Sequence, residues 1–206
     1  MIWNTRSHQL ALSAAVLAAC TGPAVPLESY VSESARSACT LLFECCETTR
    51  FETIAECEAA MAADLAPGQA IVDASISAGR MRYDGAAARS CLDQSTCDST
   101  PSACSEVLVP LVADDGECTN SSECISGNCV ATAEGSVCRP LPGDGDPCTT
   151  ACAAGFYCDV FAAAPTCQPS RAAGEACDSS IQCASVSCAD GLCVALETPA
   201  ICRLDG

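Results

Sequence analysis

Residues 28–46 show the first helical spacing of apolar positions in the chain. Cys39, Leu42 and Cys46 stand at i, i+3 and i+7 and therefore share one face of a helix. Ser29 belongs to the residue types that favour helix N-termini, and we expect it to cap this one. The pattern predicts an amphipathic helix whose buried face carries two cysteines.

A second helix is predicted directly afterwards. Residues 49–52 (TRFE) have the form of a capping box, in which a threonine and a glutamate satisfy backbone amides at a helix start. The apolar face that follows consists of Ile54, Cys57, Met61 and Leu65. We expect Pro67 and Gly68 to end this helix, and residues 69–78 to form a weaker one that stops at Gly79.

A further helix and a short apolar run complete this region. Asp84 can cap a helix. The buried stripe of that helix consists of Ala87, Ala88, Cys91 and Leu92. Residues 107–112 (VLVPLV) are too few to span a membrane and predict a buried connector or strand. Residues 28–112 are therefore expected to form a domain of three or four short helices.

Four cysteines recur three times in residues 113–206, which predicts three tandem modules and a tail. The modules are 118–138, 148–167 and 177–193, and their first cysteines lie 30 and 29 residues apart. Each module follows a turn of glycine and an acidic residue. Four cysteines allow three pairings, among which we prefer the interleaved one, first with third and second with fourth.

Composition indicates what holds such a chain together. Half of the residues are hydrophobic, but 37 alanines and 21 cysteines supply more than half of that fraction. Only 32 of the 187 residues from Cys20 onward are Leu, Val, Ile or Phe, which is too few for a conventional core. We therefore predict a small, disulfide-rich fold: a short α-helical N-terminal domain followed by three cysteine-rich modules with little regular secondary structure.

The N-terminal segment predicts export. Residues 10–19 (LALSAAVLAA) form an apolar run of ten, too short to span a bilayer, and the residues before it include Arg6 and His8 without an acid. The run ends in the sequence LAAC at residues 17–20, which closely resembles a bacterial lipobox. An ordinary signal peptide beside a chance cysteine is the alternative.

The lipobox resemblance implies a lipoprotein. A signal peptide of residues 1–19 would be removed, a diacylglycerol and a fatty acid such as palmitate attached to Cys20, and residues 20–27 would form the lipidated tether. Thr21 is compatible with sorting to the outer membrane. The predicted location is the bacterial cell envelope, with the membrane contacted through the lipid on Cys20.

Cysteine parity supports this interpretation, because removing Cys20 leaves 20 cysteines, an even number. Seven of them lie in residues 28–112 and thirteen in residues 113–206, so complete pairing requires at least one bridge between these regions. Cys202, which lies outside the modules, is the candidate. Cys45 and Cys46 lie about 100° apart around a helix and should have different partners, with a vicinal disulfide between them as the rarer alternative. The predicted disulfide cysteines are Cys39, Cys45, Cys46, Cys57, Cys91, Cys97, Cys104, Cys118, Cys124, Cys129, Cys138, Cys148, Cys152, Cys158, Cys167, Cys177, Cys183, Cys188, Cys193 and Cys202.

The modules resemble a known repeat. Their cysteine spacing, with the turns Gly127 to Cys129 and Gly155 to Cys158, is similar to the Dickkopf N-terminal-like cysteine-rich repeat. Such repeats occur in cysteine-rich lipoproteins of myxobacterial type, and the resemblance extends to residues 83–104. It implies the scaffold alone, because only cysteine and glycine spacing matches and no binding residue carries over.

Composition argues against many functions. The only histidine, His8, precedes the predicted cleavage site and the chain has no lysine, so Ser-His pairs, Cys-His pairs and Schiff-base lysines are missing. No two cysteines are two or three residues apart, as thiolate zinc sites and redox pairs require. A net charge of -17 with scattered arginines opposes nucleic acid binding. We predict no cofactor and no enzymatic activity.

Two features leave alternatives open. Acidic turns could bind calcium, although we favour solvated turns. The acids concerned are Asp114, Asp115, Glu117, Asp144 and Asp146. Phe156, Tyr157 and Phe161 form either a contact patch or the minimal core of the middle module, and we favour the core.

These observations predict a lipid-anchored, non-enzymatic binding or surface-interaction protein with a protein or glycan partner and no nucleic acid partner. One alternative is a small-scaffold inhibitor or toxin-like effector, in which a module loop enters a protease or receptor site. The other is a structural component of the envelope.

Overall fold

The computed structural model of the chain describes residues 22–47, 49–149, 151–195 and 200–203. The helices come first in the chain and are α1 (Leu27–Cys45), α2 (Ile54–Ser77) and α3 (Gly85–Gln94). A cysteine-rich part built of short two-stranded sheets follows, so the predicted fold class is confirmed. Among the described helices, none has both the length and the apolar character that crossing a membrane requires.

Helix α1 buries the face that the sequence predicts, with Ala35, Cys39 and Leu42 as its buried residues. The helix begins directly after Pro26, whose ψ of 146° is extended. Ser29 lies within the first turn and donates its hydroxyl to the Pro26 carbonyl at 3.2 Å. The predicted cap is therefore wrong, because Pro26 already occupies the extended position that precedes a helix.

Helix α2 starts at a capping box one turn later than predicted. The Thr53 hydroxyl accepts the Glu56 amide at 3.1 Å, and the Glu56 carboxylate accepts the Glu52 amide at 2.9 Å. The Thr49 hydroxyl instead accepts the Phe51 amide at 3.1 Å. The Phe51 ring packs against the α1 core, which holds this segment in a non-helical conformation.

Helix α2 also continues through Pro67 and Gly68, against the prediction that they end a helix. Both residues are exposed, so water can hydrate the carbonyl that Pro67 leaves without an amide partner. Residues 69–78 therefore extend the same helix instead of forming a separate one. Its C-terminal part is fixed by the buried Ser75, and Gly79 ends it at φ +69° as predicted.

Half of the predicted apolar face of α2 is exposed. Cys57 is fully buried and Met61 packs beside it, whereas Ile54 and Leu65 are 41% and 44% exposed. Residues 63–68 are all exposed, since α1 covers only the first part of α2. The middle of this helix therefore stands free of the rest of the described structure.

Helix α3 has the predicted cap and the predicted stripe. The Asp84 carboxylate accepts the Ala86 and Ala87 amides at 3.1 and 3.0 Å. Ala88 and Cys91 are its buried residues. Two short antiparallel strands flank this helix in the chain, β1 (Met81–Tyr83) before it and β2 (Leu108–Pro110) after it. The strand β2 lies within the apolar run that was predicted to be a connector or strand.

Residues 23–26, which the sequence assigns to the tether, pack on α3. Val25 is 1% exposed, and its amide donates to the Gly85 carbonyl at 3.0 Å. The Arg89 guanidinium donates to the Pro23 carbonyl at 3.3 Å. Residues 23–26 of the predicted tether thus contact α3, whereas Cys20 lies outside the described residues.

Each module is a short antiparallel hairpin crossed by two disulfides. The hairpins are β3–β4 (Cys129–Thr132, Gly135–Cys138), β5–β6 (Phe156–Cys158, Cys167–Pro169) and β7–β8 (Cys188–Ala189, Leu192–Cys193). In all three modules the first cysteine pairs with the third and the second with the fourth. Apart from Glu123 in the first module, the buried residues of each module are cysteines, so the two bridges replace an apolar core.

The modules are joined head to tail by a repeated backbone contact. The residue six positions before the first cysteine of each module lies beside the second cysteine or its neighbour. In the first and third modules this residue is Val112 and Arg171, respectively, and it forms a parallel β-bridge with the second cysteine. In the middle module Pro142 has no amide, and one bond remains, from the Ala153 amide to the Pro142 carbonyl at 2.8 Å. A proline stands two residues before each contact, at Pro110, Pro140 and Pro169.

Candidate functional site

All twenty cysteines after Cys20 lie in the described residues, and all are paired. The bridges outside the modules are Cys39–Cys57, Cys45–Cys97, Cys91–Cys104 and Cys46–Cys202. The neighbouring Cys45 and Cys46 thus have different partners. Cys202 joins the end of the chain to the helical part, as the parity of the cysteine counts requires.

Three groups of cysteine sulfurs lie within 4.8 Å of one another, one group in each module. They comprise Cys118, Cys124 and Cys129; Cys148, Cys152 and Cys158; and Cys177, Cys183 and Cys188. Every member is half of a disulfide and offers no thiolate to a metal ion. We interpret these groups as the crossed bridges that form the module cores.

A buried carboxylate joins α2 to the first module. Glu123 is fully buried, and its Oε1 accepts the Ser75 hydroxyl at 2.6 Å while its Oε2 accepts the Thr119 amide at 2.7 Å. The Arg80 Nε lies 2.9 Å from Oε1 and forms an ion pair with the carboxylate. One side chain therefore connects the end of α2, the segment that follows it and the first module.

These contacts keep Glu123 ionised. Burial raises the pKa of Glu123, but the hydrogen bonds from Ser75 and Thr119 and the charge of Arg80 outweigh burial, and the pKa falls to about 2. A catalytic general acid needs a pKa near the working pH instead. The arrangement therefore suits a structural junction.

The cysteine pattern gives no sign of this junction, because Glu123 is one of 26 acidic residues. The available signal is positional: Glu123 precedes the second cysteine of its module, and Gln182 has the same position in the third module. The Gln182 side-chain oxygen accepts the Asp178 amide at 2.8 Å, a contact equivalent to the one between Glu123 and Thr119. The middle module has Ala151 at this position, so a comparison of the modules gives only a weak signal for Glu123.

An open groove of about 940 Å³ lies beside the junction. Its charged lining residues are Arg80, Asp115, Glu117, Glu134 and Arg139. Both arginines have acidic partners, since Arg80 faces Glu123 and Arg139 forms an ion pair with Asp115. The exposed Glu117 and Glu134 leave the groove with an excess of negative charge.

The acidic turns considered for calcium make contacts within the protein. Asp115 is paired with Arg139, and the Asp146 carboxylate accepts the Gly143 amide at 2.9 Å. Within the described residues, the ligand groups of three or more that lie close enough to share an ion are the bridged cysteines alone. Asp115 and Asp146 are therefore engaged by groups of the protein itself.

A smaller groove of about 360 Å³ lies between α1, α3 and residues 95–100. Tyr30, Leu41, Leu92 and Ile201 form its apolar walls. Hydroxyl groups, among them those of Ser34 and Ser95, supply much of the remaining lining. The described residues contain no histidine or lysine that could activate these hydroxyls as nucleophiles.

The aromatic residues of the middle module do not act as one group. Phe156 packs against the buried cysteines of the module, and Tyr157 is half-buried. Phe161, by contrast, is 82% exposed. The expected core role is therefore wrong for Phe161, because its loop of residues 159–166 leaves the hairpin and carries the ring away from the crossed disulfides.

Comparison with known proteins adds no relative. No protein-family model, curated protein or solved structure matches this chain.

Proposed function

We propose that this protein is a lipid-anchored, disulfide-stabilised binding protein of a bacterial cell envelope, with no enzymatic activity of its own. The observation that carries the proposal is the set of ten disulfides, which pairs every cysteine except Cys20. Exported proteins keep such bridges in an oxidising compartment, whereas cytosolic thiol systems reduce them.

The start of the folded part supports anchoring at Cys20. Val25 is buried and Arg89 holds the Pro23 carbonyl, so few residues separate the lipobox cysteine from ordered packing. A diacylglyceryl group and an amide-linked acyl chain on Cys20 would hold the helical part next to the bilayer surface. The modules would then extend from that membrane-proximal part.

The grooves and loops suit binding better than catalysis. The buried carboxylate of Glu123 is engaged by hydrogen bonds that keep it charged, and the hydroxyls of the smaller groove have no imidazole or amine nearby. Rigid modules that present short loops are a common framework for recognition in small exported proteins. The proposal takes from the resemblance to Dickkopf-like repeats only the cysteine-rich scaffold, and no partner or binding residue.

Intact mass spectrometry of the full chain, expressed in a bacterium that processes lipoproteins, tests the proposal. We expect membrane-bound protein that begins at Cys20 and carries a lipid adduct. Alkylation should add no groups before reduction and 20 groups after it. The control is Cys20→Ser, which should release the protein into the soluble fraction while leaving the same 20 cysteines paired.

The two halves of the proposal can fail separately. Wild-type protein found in the soluble fraction without a lipid adduct would refute the anchor. Several thiols that react before reduction would refute the disulfide scaffold and reopen metal or redox chemistry.

A further inference from the structure

We propose that the loop of residues 159–166, with Phe161 at its tip, inserts into an apolar pocket on a positively charged protein surface. The inference rests on the proposed function, because it names the contact residue and the partner chemistry of the binding protein proposed there.

The loop is held in one shape at its base. Cys158 and Cys167 face each other in the hairpin, and each is bridged to an earlier part of the module. The Asp159 amide donates to the Thr166 carbonyl at 3.1 Å, and the Ala162 amide donates to the Asp159 carbonyl at 3.2 Å. A loop that is ordered before binding loses little conformational entropy when a partner engages it.

The loop differs from its counterparts in the other two modules. Their connections are two residues long and charged, Ala133-Glu134 in the first module and Asp190-Gly191 in the third. The middle module has eight connecting residues, and the six from 160 to 165 (VFAAAP) include no polar side chain. The connection in the middle module therefore differs from the other two in both length and composition, and it carries the exposed Phe161.

Exposure of this ring is unfavourable unless a partner covers it. Phe161 is 82% exposed and Val160 is 41% exposed, so the tip presents an aromatic ring with an aliphatic neighbour. An aromatic side chain buries roughly 150–250 Å² when a pocket encloses it, which makes it an effective anchor. Contacts of this kind dominate the affinity of many interfaces.

Charge and composition distinguish between the occupants that could cover the tip. The chain has a net charge of -17, so a second copy and an anionic bilayer would both be repelled. A glycan needs hydrogen-bonding partners, and residues 160–165 offer none from their side chains. A protein pocket with a basic rim satisfies both the apolar tip and the acidic molecule behind it.

The test uses the oxidised full chain with photoreactive benzoylphenylalanine at position 161, added to envelope fractions of the source bacterium. Position 125 is the matched control, because Ile125 is 66% exposed in the first module. Position 134 samples the acidic groove. We expect irradiation at low salt to give a discrete protein adduct from position 161 only. Irradiation at high salt should give no adduct, because salt screens the charge attraction.

Competition shows whether the ring itself is recognised. Unlabelled wild-type chain and Phe161→Trp should block the adduct, whereas Phe161→Ser should need at least tenfold more protein to do so. Because Phe161 is exposed, all variants should retain the full set of disulfides, which intact mass checks.

Several results would overturn the inference. The first is the absence of an adduct from position 161. The second is competition by Phe161→Ser that equals competition by the wild-type chain. The third is an adduct that forms equally well when irradiation is carried out at high salt. Binding to phosphatidylcholine or phosphatidylglycerol vesicles, or self-association, that depends on Phe161 would assign the tip to another occupant. Adducts from position 134 or 125 alone would refute this inference but leave the proposed function standing, whereas no adduct from any position would count against both.

Discussion

At the scale of single residues, Glu123 joins α2 to the first module. Its carboxylate accepts the Ser75 hydroxyl, the Thr119 amide and the Thr119 hydroxyl at 2.6, 2.7 and 2.8 Å. Hydrogen bonds to a charged acceptor are strong enough to offset much of its desolvation. Ionised Glu123 therefore stabilises the junction more than the protonated form does.

The pH dependence of stability follows from this carboxylate. Its pKa is about 2 in the folded protein, below the ordinary value of 4.5, so its contribution is complete above pH 4.5 and is lost as the pH falls towards 2. Glu123→Gln should lower the free energy of unfolding by on the order of 3 kcal/mol at pH 7 and weaken the decline between pH 4.5 and 2. Urea unfolding followed by circular dichroism at pH 7, 4 and 2.5 measures both effects.

Glu134→Gln is the control for that measurement. Glu134 is an exposed acid of the adjacent groove, so its replacement should change stability by less than about 0.5 kcal/mol. Equal behaviour of the two variants would contradict the role assigned to Glu123.

Val186 has a backbone conformation that suits glycine. Its φ is +55°, at the position of the third module where the first module has Gly127 at φ +70°. A β-branched residue is strained in this region, while glycine has a larger entropy in the unfolded chain. Val186→Gly should therefore raise the free energy of unfolding by about 1 kcal/mol, measurable as a higher midpoint in calorimetry.

The reciprocal change isolates the backbone effect. A Cβ added at Gly127 would meet no atom within 4 Å, so Gly127→Val should lower stability through conformation alone. If both variants shift the midpoint in the same direction, backbone strain is not the cause.

At the scale of elements, α2 shows how tertiary contacts outweigh a local stop signal. Pro67 lies inside the helix and is exposed, while Cys57 before it and Ser75 after it are buried. Each end of the helix is thus held by contacts with another part of the fold. The local loss at the proline is tolerated because neither end can leave without exposing buried groups.

Replacing that proline should strengthen α2. Pro67→Ala restores one backbone hydrogen bond and removes a steric conflict. The unfolded chain also becomes more flexible, which offsets part of this gain, so we expect the free energy of unfolding to rise by about 2 kcal/mol. Thermal unfolding and helical ellipticity at 222 nm measure the change. Ala66→Pro is the matched opposite and should reduce both quantities, whereas no response to either variant would mean that the segment does not contribute to cooperative unfolding.

The elements also show how far sequence reasoning reaches. The disulfide-rich fold class and the Asp84 cap were predictable, because cysteine spacing and cap chemistry are local signals. The start of α2 was misplaced by one turn, since Thr49 and Thr53 both begin a Thr-x-x-Glu sequence. Only the packing of Phe51, a contact distant in sequence, distinguishes the two, and the Glu123 junction depends on distant contacts in the same way.

At the scale of the whole molecule, the module array is attached at both ends. The first module meets α2 through Glu123. After the third module, Cys202 is bridged to Cys46 and Ile201 packs on the cluster of Cys39, Leu42 and Cys57. The chain therefore forms a closed loop with a sequence separation of 156 residues between the bridged cysteines.

Opening this loop should expand the molecule. The double variant Cys46→Ser, Cys202→Ser leaves no unpaired thiol and frees one end of the array, so the radius of gyration from small-angle X-ray scattering should increase. Cys91→Ser with Cys104→Ser is the control, because that bridge spans 13 residues within the helical part and should leave the radius nearly unchanged. Equal radii for all forms would show that noncovalent contacts hold the array closed.

The order in which the cysteines leave the ribosome differs from the order in which they are paired. None of the ten bridges joins two consecutive cysteines, and Cys46 must wait for Cys202, the last one made. An oxidase that joins cysteines as they appear would produce non-native isomers at every step. We therefore expect correct bridging to require a disulfide isomerase in the compartment where the chain folds, and a strain without that catalyst should accumulate misbridged protein.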